Sequence, residues 1–407
     1  MKMGMGEVIA TYYYKPKDGV DSTWAAQAIA EEQTTGTWTD ISTSEEYVHY
    51  LDGTIHSIVP HNAGYITKIG FPDEIFEPGS FPQYLSVLSG NLYGLSKIAH
   101  VRLLDIDFTK NTVAPYKGPK FGIEGIRKLT GTDKSGRPHV GTIIKPKVGL
   151  NPKDTAHVAY ESAIGGIDLI KDDETLTDQK FCSMADRLPA VMEQLDRVKD
   201  DTGRTVLYAV NVSAPGDKIL DRAEEAIDLG ANMLMVDVIV CGLDAVRVLA
   251  EDPSVHIPLH VHRTMHAAMT RNPEHGVAMR TFCRMVRMAG GDQLHTGTIS
   301  GKMEHDTAEL LGDNKTLLDS NFFGLKTVFP VASGGLSPGG VAREIEVLGK
   351  DIILQAGGGV HGHPDGTRAG AAAMRQAVDA AMQGVTLKEY AKDHKELAAA
   401  LGKWGSV

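Results

Sequence analysis

The pattern that most constrains the fold is an eightfold alternation of short apolar runs with segments of helical periodicity. Each run ends in polar or glycine residues, and helix-like spacing of apolar residues follows, as in residues 221–229 and 276–288. The eight runs span residues 140–145, 167–171, 205–212, 232–238, 257–262, 293–298, 327–333 and 351–357. Strands that alternate with helices favour parallel βα units. Eight such units over roughly 260 residues predict a (β/α)8 TIM barrel.

The first 120 residues have a different pattern. Residues 7–14 alternate as a strand does, residues 21–33 and 80–88 have helical spacing, and residues 55–69 and 101–108 hold further strand-like runs. This order predicts a smaller ferredoxin-like α+β domain with a split βαβ layout. We therefore expect an N-terminal α+β domain over residues 1–120 and a catalytic barrel domain over residues 121–407.

The polar residues that end the apolar runs should converge, because the active site of a TIM barrel lies at the carboxyl ends of its strands. They supply ammonium, carboxylate, amide, imidazole, guanidinium and hydroxyl groups, together with two glycine turns. In chain order they are Lys145, Lys147, Lys171, Asp173, Glu174, Asn211, Asp237, His262, Arg263, His295, Ser333, Gly334, Gly335, Gly357, Gly358 and Gly359.

A lysine and two acids end the second run and suggest an unusual metal site. Asp173 and Glu174 supply the oxygen donors that Mg²⁺ prefers. The ammonium of Lys171 would repel a metal, but addition of CO2 to its amine would create an anionic carbamate oxygen donor. A solvated turn after a buried strand explains the same residues, and this segment alone leaves both interpretations open.

The glycine turns after the seventh and eighth runs predict a phosphate site. Such turns expose backbone N–H groups, and TIM barrels often hold a phosphate at these two loops. Arg263 and His295 could hold a second anion. Two anion sites that flank a metal indicate a small bisphosphorylated substrate, although turns also use glycine simply to reach positive φ.

Composition excludes several classes of protein. The formal net charge of −11 argues against nonspecific nucleic-acid binding. The three cysteines show neither metal-ligand spacing nor a disulfide framework, which favours a reducing cytoplasm. No apolar run approaches the ~20 residues that cross a bilayer, and no signal or transit pattern begins the chain. We expect a cytoplasmic enzyme without a membrane or nucleic-acid partner.

Together these segments resemble the large subunit of ribulose-1,5-bisphosphate carboxylase/oxygenase (RuBisCO), and the resemblance covers nearly the whole chain. It rests on residues 32–39, 90–91, 145–150, 165–174, 262–266, 295–302, 333–335 and 357–359. The carboxyl end is short and finishes soon after a predicted helix at residues 387–401. Together with Ile143 and the Ser337-Pro-Gly sequence, this end makes the chain most similar to the archaeal form III branch, which works without small subunits.

The resemblance implies an activity and a metal centre. The enzyme would add CO2 to the enediolate of ribulose 1,5-bisphosphate and cleave the product to two molecules of 3-phosphoglycerate, with O2 as a competing substrate. Lys171, carbamylated by an activator CO2, would bind Mg²⁺ with Asp173 and Glu174 and would remove the C3 proton. Lys145, surrounded by other cations, would protonate the final carbanion.

The resemblance also implies roles for other residues of the mouth. Lys147 would tune Lys145, His262 would assist hydration and deprotonation at C3, and Ser333 would bind a substrate hydroxyl. One phosphate would be bound by Arg263 and His295. The other phosphate site is matched by Thr37, Trp38, Gly335, Gly357 and Gly358.

Further implied residues bear on quaternary structure. Lys302 lies in a loop after the sixth strand that would close as a lid and contact the incoming CO2, with Glu32 positioning it. Asn91 belongs to the same substrate-binding set. Because the N-terminal residues of this set come from a second subunit in this family, the resemblance implies a homodimer with shared active sites, able to assemble further.

Two alternatives differ in function. The first is a RuBisCO-like enolase or isomerase that acts on a phosphorylated thiosugar, and the second is a pseudoenzyme that only binds a phosphorylated metabolite or a protein. Retention of several site residues favours the carboxylase: Glu32, Asn91, Lys145, His262, His295, Lys302 and Ser333. The form III resemblance implies a pathway of nucleotide salvage, whereas a Calvin-type cycle would require a partner kinase.

Overall fold

The computed structural model describes residues 6–37, 39, 42–301 and 306–406. Its contacts divide the chain into two compact units. The first ends at Lys117 and also includes Met265–Met288 and Asn321–Phe323. The second comprises Gly118–Thr264, Ala289–Ser320 and Gly324–Val407. The division between Lys117 and Gly118 lies close to the expected domain boundary at residue 120, but two later segments, residues 265–288 and 321–323, also belong to the first unit.

The strands and helices follow the predicted order along the chain. They are β1 (Glu7–Pro16), α1 (Ser22–Glu32), β2 (Thr54–His61), β3 (Gly64–Pro72), α2 (Phe81–Ser89), β4 (Ile98–Asp107), α3 (Lys110–Val113), α4 (Gly122–Thr130), β5 (His139–Ile143), α5 (Pro152–Ile164), β6 (Leu169–Lys171), α6 (Met184–Thr202), β7 (Leu207–Asn211), α7 (Ile219–Asp228), β8 (Met233–Asp237), α8 (Val238–Cys241), α9 (Leu243–Glu251), β9 (Leu259–His262), α10 (Ala267–Thr270), β10 (Gly276–Val277), α11 (Met279–Ala289), β11 (Gln293–His295), α12 (Thr307–Leu318), β12 (Phe329–Ser333), α13 (Val341–Leu348), β13 (Ile353–Gln355), α14 (Gly358–His361), α15 (Thr367–Gln383), α16 (Leu387–Tyr390) and α17 (Lys395–Trp404).

The first unit is built on a five-stranded sheet of order β10-β4-β1-β3-β2. Strand β1 is antiparallel to both β3 and β4, and β2 and β3 form an antiparallel pair. Alternate residues of β1 are fully buried, and the hydroxyl of Tyr12 donates a hydrogen bond to the carbonyl of Leu88 at 2.8 Å. The order 4-1-3-2 of a βαββαβ chain confirms the predicted ferredoxin-like layout.

The second unit contains a closed barrel of eight parallel strands in the order β11-β12-β13-β5-β6-β7-β8-β9. Each predicted apolar run overlaps one of these strands, so the TIM-barrel prediction is confirmed. The buried core consists of inward-facing strand residues and two residues of α4. They are Ile123, Ile126, Leu169, Leu207, Ala209, Met233, Met235, Phe329, Val331 and Ile353.

The core residues explain where the polar side chains of the mouth lie. Side chains two residues apart on a strand point to the same face. Lys171 therefore follows Leu169, Asn211 follows Ala209, Asp237 follows Met235 and Ser333 follows Val331 along the interior of the barrel. The chemistry-bearing residues form the next layer above the apolar core, towards the carboxyl ends of the strands.

Two helix predictions require correction. Residues 276–288 were expected to form one helix, but Gly276 has φ of 112° and pairs with Arg102 in β10, so α11 begins only at Met279. The single helix expected over residues 387–401 is divided into α16 and α17, because the backbone of His394 is extended and its Nδ1 contacts the carbonyl of Tyr390 at 2.7 Å.

The longest helix, α6, shows how the outer layer of the barrel is bounded. It begins after Ser183, whose side chain accepts a hydrogen bond from the Asp186 N–H, and it ends at Gly203 with φ of 70°.

Across the described parts of the chain, no helix combines the length and apolar character required to cross a membrane.

Candidate active site at the barrel mouth

Lys171 ends β6 with its ammonium inside the barrel. The residue is 1% exposed, and its Nζ donates to the carbonyl of Asp172 at 2.7 Å and lies 3.9 Å from Glu174 Oε2. Burial lowers the pKa of Lys171, although the charges of Glu174 and Asp173 act in the opposite direction. The neutral amine is therefore more accessible than that of a lysine in water.

Two more lysines contact the carboxylates beside Lys171. Lys145 Nζ donates to Asp173 Oδ2 at 2.7 Å, and Lys147 Nζ lies 3.3 Å from Glu174 Oε1. Burial would raise the pKa of Asp173, but the hydrogen bond and charge of Lys145 outweigh it and the pKa is lowered. The charges of Glu174 and Asp173 raise the pKa of Lys147. Lys145 therefore lies beside a carboxylate in this structure, whereas the resemblance implied that other cations surround it.

Gly357, after strand β13, lies against Lys145. A Cβ atom at this position would be 3.1 Å from Lys145 Cε and 3.6 Å from Ile143 Cδ1. A larger residue would therefore press on the stem of Lys145. Gly358 faces open space, and Gly335, after β12, has φ of 98°, a conformation that favours glycine.

A buried ion pair supports the same segment from behind. Asp172 and Arg187 are both fully buried, with Arg187 Nη2 donating to Asp172 Oδ2 at 3.0 Å. The Asn211 N–H donates to the same oxygen at 3.0 Å, and the Tyr208 hydroxyl donates to Asp172 Oδ1. Because Asp172 lies between Lys171 and Asp173, these contacts hold the backbone that carries the predicted metal ligands. Neither Arg187 nor Tyr208 was predicted from the sequence. Arg187 could have been found, because it is a charged residue on the buried face of α6.

His262, at the end of β9, lies between the carboxylates of Glu174 and Asp237. Its Nδ1 lies 3.0 Å from Asp237 Oδ1, and its Nε2 lies 3.9 Å from Glu174 Oε2. Ser213 donates a hydrogen bond to Asp237 Oδ2 at 3.3 Å. Burial raises the pKa of Asp237 to about 6, against the opposing charge of Lys171. Asp237 therefore lies where it can orient the imidazole of His262.

His295 contacts Ser333 and a second histidine. Its Nδ1 lies 2.6 Å from Ser333 Oγ, and its Nε2 lies 2.8 Å from His260 Nε2. His260 Nδ1 in turn lies 2.6 Å from Gln293 Oε1. Burial lowers the pKa of His295 well below its usual range and lowers that of His260 to about 3. Neither His260 nor Gln293 was predicted from the sequence.

Arg263, the other residue of the predicted phosphate site, lies beside the backbone after β11. A Cβ atom at Gly297 would be 3.1 Å from Arg263 Nη2, and Gly297 has φ of 114°. The guanidinium thus approaches the loop after β11 closely because residue 297 is glycine.

A carboxylate of α13 holds the beginning of the loop that carries Lys302. Glu344 is fully buried, and its two oxygens accept hydrogen bonds from the Ile299 N–H at 3.0 Å and the Ser300 N–H at 2.7 Å. The Ser300 hydroxyl also donates to Glu344 at 2.7 Å. Sequence interpretation missed Glu344, because its position in a helix is ordinary for an acid.

The predicted site residues divide into three groups. Within the second unit, one set of contacts joins Lys145, Lys147, Lys171, Asp173, Glu174 and His262. A separate contact joins His295 and Ser333, Gly357 lies against Lys145, and Arg263 lies beside Gly297. Glu32 is the last residue of α1 in the first unit, and Thr37 and Asn91 of that unit are exposed. Trp38 and Lys302 lie outside the described residues.

The donor set constrains which metal site can form. Within the described ranges, no group of three His, Cys, Asp or Glu side chains is arranged to bind a metal ion. Asp173 and Glu174 supply two carboxylates, and the third neighbouring side chain is the amine of Lys171. The set fits a hard cation such as Mg²⁺ once this amine is an oxygen donor, as in a carbamate.

Two protein-family models match the chain over nearly its whole length. The N-terminal domain of the ribulose bisphosphate carboxylase large chain matches residues 2–112, and the catalytic domain of the same large chain matches residues 122–404.

Individual proteins agree with these models. Ribulose bisphosphate carboxylases of Methanosarcina mazei and Pyrococcus abyssi are 41% and 42% identical, cover 98% and 99% of this chain, and are themselves covered over 96% and 94%. The octameric Pyrococcus horikoshii RuBisCO structure is 41% identical with a TM-score of 0.93, covering 99% of this chain and 94% of that one. The dimeric RuBisCO of Hyperthermus butylicus is 40% identical with a TM-score of 0.91, covering 100% and 98%. With archaeal relatives of this kind and both family models matched, the chain belongs to the ribulose bisphosphate carboxylase large chain family.

Proposed function

We propose that this protein is a ribulose-1,5-bisphosphate carboxylase. It adds CO2 to the enediolate of its substrate and cleaves the product to two molecules of 3-phosphoglycerate, and O2 competes with CO2 in an oxygenase reaction. The observation that carries this proposal is the buried amine of Lys171 beside Asp173 and Glu174, with Lys145 hydrogen-bonded to Asp173. The relatives named above are carboxylases with the same barrel.

Activation uses the amine of Lys171. The neutral nitrogen attacks the carbon of CO2, and loss of one proton from nitrogen leaves a carbamate anion. Burial favours this reaction because it lowers the pKa of Lys171 and so increases the neutral fraction. Lys171, Asp173 and Glu174 would then hold Mg²⁺. The metal, when bound, supplies Lewis-acid polarisation of the substrate carbonyl.

Two other side chains are placed to move protons. Lys145 holds its ammonium in the mouth at 2.7 Å from Asp173, where it can protonate a carbanion of the bound substrate. When Asp237 is ionised, its Oδ1 accepts a hydrogen bond from His262 Nδ1–H, which leaves the basic lone pair on Nε2 towards Glu174. Lys147 contributes positive charge beside Glu174 and so affects the proton transfers of both Lys145 and His262.

The remaining site residues bind the substrate in this proposal. Arg263 binds one phosphate, and Ser333 binds a substrate hydroxyl. The resemblance assigns His295 to the same phosphate, but both of its ring nitrogens contact protein groups in this structure, His260 and Ser333. His295 would therefore line that phosphate site without donating to the phosphate. The second phosphate is bound by Thr37, Trp38, Gly335, Gly357 and Gly358.

We further propose a homodimer, in which Glu32, Thr37, Trp38 and Asn91 of one chain complete the site of the other and Glu32 positions Lys302 against CO2. The structures of relatives include a dimer and an octamer. We expect no small subunit, and we assign the substrate to nucleotide salvage by the form III resemblance.

The test is incorporation of label from CO2. The purified protein is incubated with bicarbonate and Mg²⁺, and ribulose 1,5-bisphosphate is then added with labelled CO2. We expect acid-stable label in 3-phosphoglycerate, lost in Lys171→Ala and Lys302→Ala. Lys153→Ala, which removes an exposed lysine of α5, is the matched control and should retain activity.

Absence of label from folded wild-type protein would contradict the carboxylase assignment. Enolisation of the substrate without carboxylation, seen as exchange of the C3 proton with solvent deuterium, would instead support the RuBisCO-like enolase. Label in Lys171→Ala equal to that of the wild type would contradict the role given to the carbamate.

A further inference from the structure

Four side chains form a continuous hydrogen-bonded row inside the barrel, which we call the histidine chain: Gln293, His260, His295 and Ser333. The successive contacts are 2.6 Å from Gln293 Oε1 to His260 Nδ1, 2.8 Å between the two Nε2 atoms, and 2.6 Å from His295 Nδ1 to Ser333 Oγ. Gln293 and His260 are fully buried and His295 is 2% exposed, whereas Ser333 is partly exposed at the mouth. The row therefore runs from the barrel interior to the site.

The fold produces this row by strand register. Gln293 and His260 are register partners on the neighbouring parallel strands β11 and β9. His295 lies two residues after Gln293 and so faces the same side of β11. Ser333 ends β12, which pairs with β11 on its other edge. Three adjacent strands thus bring four polar side chains into one line.

Each contact in the row holds one proton. A neutral imidazole has one donor nitrogen and one acceptor nitrogen, and burial keeps both histidines neutral by lowering their pKa values. A hydrogen bond between two Nε2 atoms needs a proton on only one of them. The tautomer of His260 therefore fixes that of His295, and the histidine chain has only two arrangements, which run in opposite directions.

The amide of Gln293 selects one direction. Its Oε1, which can only accept, faces His260 Nδ1, and in this orientation its Nε2 is buried without a hydrogen-bond partner among the described residues. The direction of the row therefore follows from the orientation of this amide, which the diffraction test below reads through the two rings. His260 then carries its proton on Nδ1 and accepts at Nε2, His295 carries its proton on Nε2, and the Ser333 hydroxyl donates to His295 Nδ1. Turning the amide over would reverse every one of these hydrogen bonds.

We propose that Gln293 and His260 are positioning residues that fix the proton of Ser333, so that Ser333 donates into the protein and presents an acceptor oxygen to the substrate. The chemistry recognised is a hydroxyl group that donates a hydrogen bond to Ser333 Oγ. The statement about the substrate rests on the function proposed above, whereas the direction of the histidine chain does not.

The direct test is neutron diffraction from crystals of the wild-type protein exchanged into D2O at neutral pD. We expect deuterium on His260 Nδ1 and His295 Nε2, and none on His260 Nε2 or His295 Nδ1. Deuterium on His260 Nε2 and His295 Nδ1, or on both nitrogens of either ring, would overturn the proposal. This outcome does not depend on any activity, so it separates a failure of this inference from a failure of the proposed function.

The kinetic test removes the acceptor at the buried end. Gln293→Leu should raise KM for ribulose 1,5-bisphosphate about tenfold, the equivalent of one hydrogen bond, with a smaller change in kcat. In a Ser333→Ala background the same substitution should leave KM unchanged, because Gln293 acts through Ser333. A Gln293→Leu effect on KM that is equally large in both backgrounds would overturn the proposal.

Gln355→Leu is the matched control. Gln355 is also buried in the barrel, on β13, and its Nε2 donates to the carbonyl of Thr142 at 2.9 Å, away from the histidine chain. We expect this variant to lower thermal stability without the dependence of KM on Ser333. The same dependence in Gln355→Leu would contradict the route through His260 and His295.

Discussion

At the scale of single residues, the two adjacent aspartates after Lys171 have different tasks. Asp172 is fully buried and contacts Arg187, Tyr208 and the backbone of Asn211. Asp173 is equally buried but contacts Lys145 at the mouth. One carboxylate thus anchors the segment, and its neighbour presents oxygen to the site. The two aspartates differ in their contacts and their tasks because their partners come from different parts of the barrel.

The buried ion pair of Arg187 gives a stability prediction. Arg187→Met should lower the free energy of unfolding by about 3–5 kcal/mol, because it leaves the Asp172 carboxylate buried without its cation. Denaturant unfolding of the variant and the wild type measures this difference. Arg343→Met, which breaks an exposed pair with Glu346, should cost less than about 1 kcal/mol. Equal losses in the two variants would contradict the importance of burial.

Asp237 gives a prediction of pH dependence. Burial raises its pKa to about 6 in the folded state, above its value of about 3.9 in the unfolded chain. Its contribution to stability is therefore greatest below about pH 4 and is lost as the pH rises through about 6. Asp237→Asn removes this penalty. From about pH 4.5 to about pH 7.5, the variant should gain roughly 2 kcal/mol in unfolding free energy relative to the wild type.

Urea unfolding of both proteins at these two pH values measures the change. Asparagine keeps an acceptor for His262 Nδ1, so the comparison isolates the charge of residue 237. A difference in unfolding free energy that is constant with pH, or that favours the wild type at the higher pH, would show that the pKa of Asp237 is not raised.

At the scale of elements, helix α13 controls the start of the loop after β11. The carboxylate of Glu344 accepts three hydrogen bonds from Ile299 and Ser300. A Cβ atom at Gly340 would lie 2.4 Å from Ser300 Oγ, so the turn before α13 packs closely on the same residues. The loop is therefore tied to the element that follows β12 before the chain reaches Lys302.

Removal of this carboxylate should loosen the loop locally. In Glu344→Leu, the amides of Ile299 and Ser300 should exchange hydrogen about tenfold faster or more, because their buried acceptor is gone. Hydrogen exchange followed by mass spectrometry on peptides covering these residues measures the rate. Glu346→Leu, on the exposed side of the same helix, serves as control and should leave the rates unchanged. Unaltered exchange in Glu344→Leu would show that the loop is held by other contacts.

At the scale of the whole molecule, the proposed site draws on two chains. Lys171 belongs to the barrel unit and Glu32 to the first unit. If each site combines these residues from different chains, a dimer of two inactive variants contains one site with both substitutions and one intact site.

Mixed dimers test this arrangement. Lys171→Ala and Glu32→Ala should each be inactive alone. Equal amounts, unfolded and refolded together, should recover about a quarter of the wild-type activity, because half of the dimers are mixed and each has one intact site. Sedimentation first establishes that the wild-type chain of 43.8 kDa is a dimer. No recovery from well-folded mixed dimers would show that Glu32 and Lys171 act within one chain.

Local patterns were sufficient to predict the architecture. Each barrel strand is a short apolar run whose length distinguishes it from the adjoining helices. Strands β6 to β9 and β11 to β13 fall within the predicted runs, and β5 begins one residue before its run. Strand β10 was not predicted, because two residues carry no periodicity and their pairing with β4 joins segments far apart in the chain. Likewise, the break between α16 and α17 depends on the backbone of one residue, His394.

The sequence also placed most chemistry-bearing residues of the mouth, because the end of each parallel strand lies on the same side of a barrel. In the structure Lys145 contacts Asp173, and Lys171 Nζ lies 3.9 Å from Glu174 Oε2. Only the tertiary structure revealed the partners behind them. Arg187 meets Asp172, Glu344 meets Ser300, and Gln293 meets His260, in each case across different elements. Periodicity determines which face a residue occupies. The identity of its neighbour depends on strand register and helix packing, which exist only once the barrel has closed.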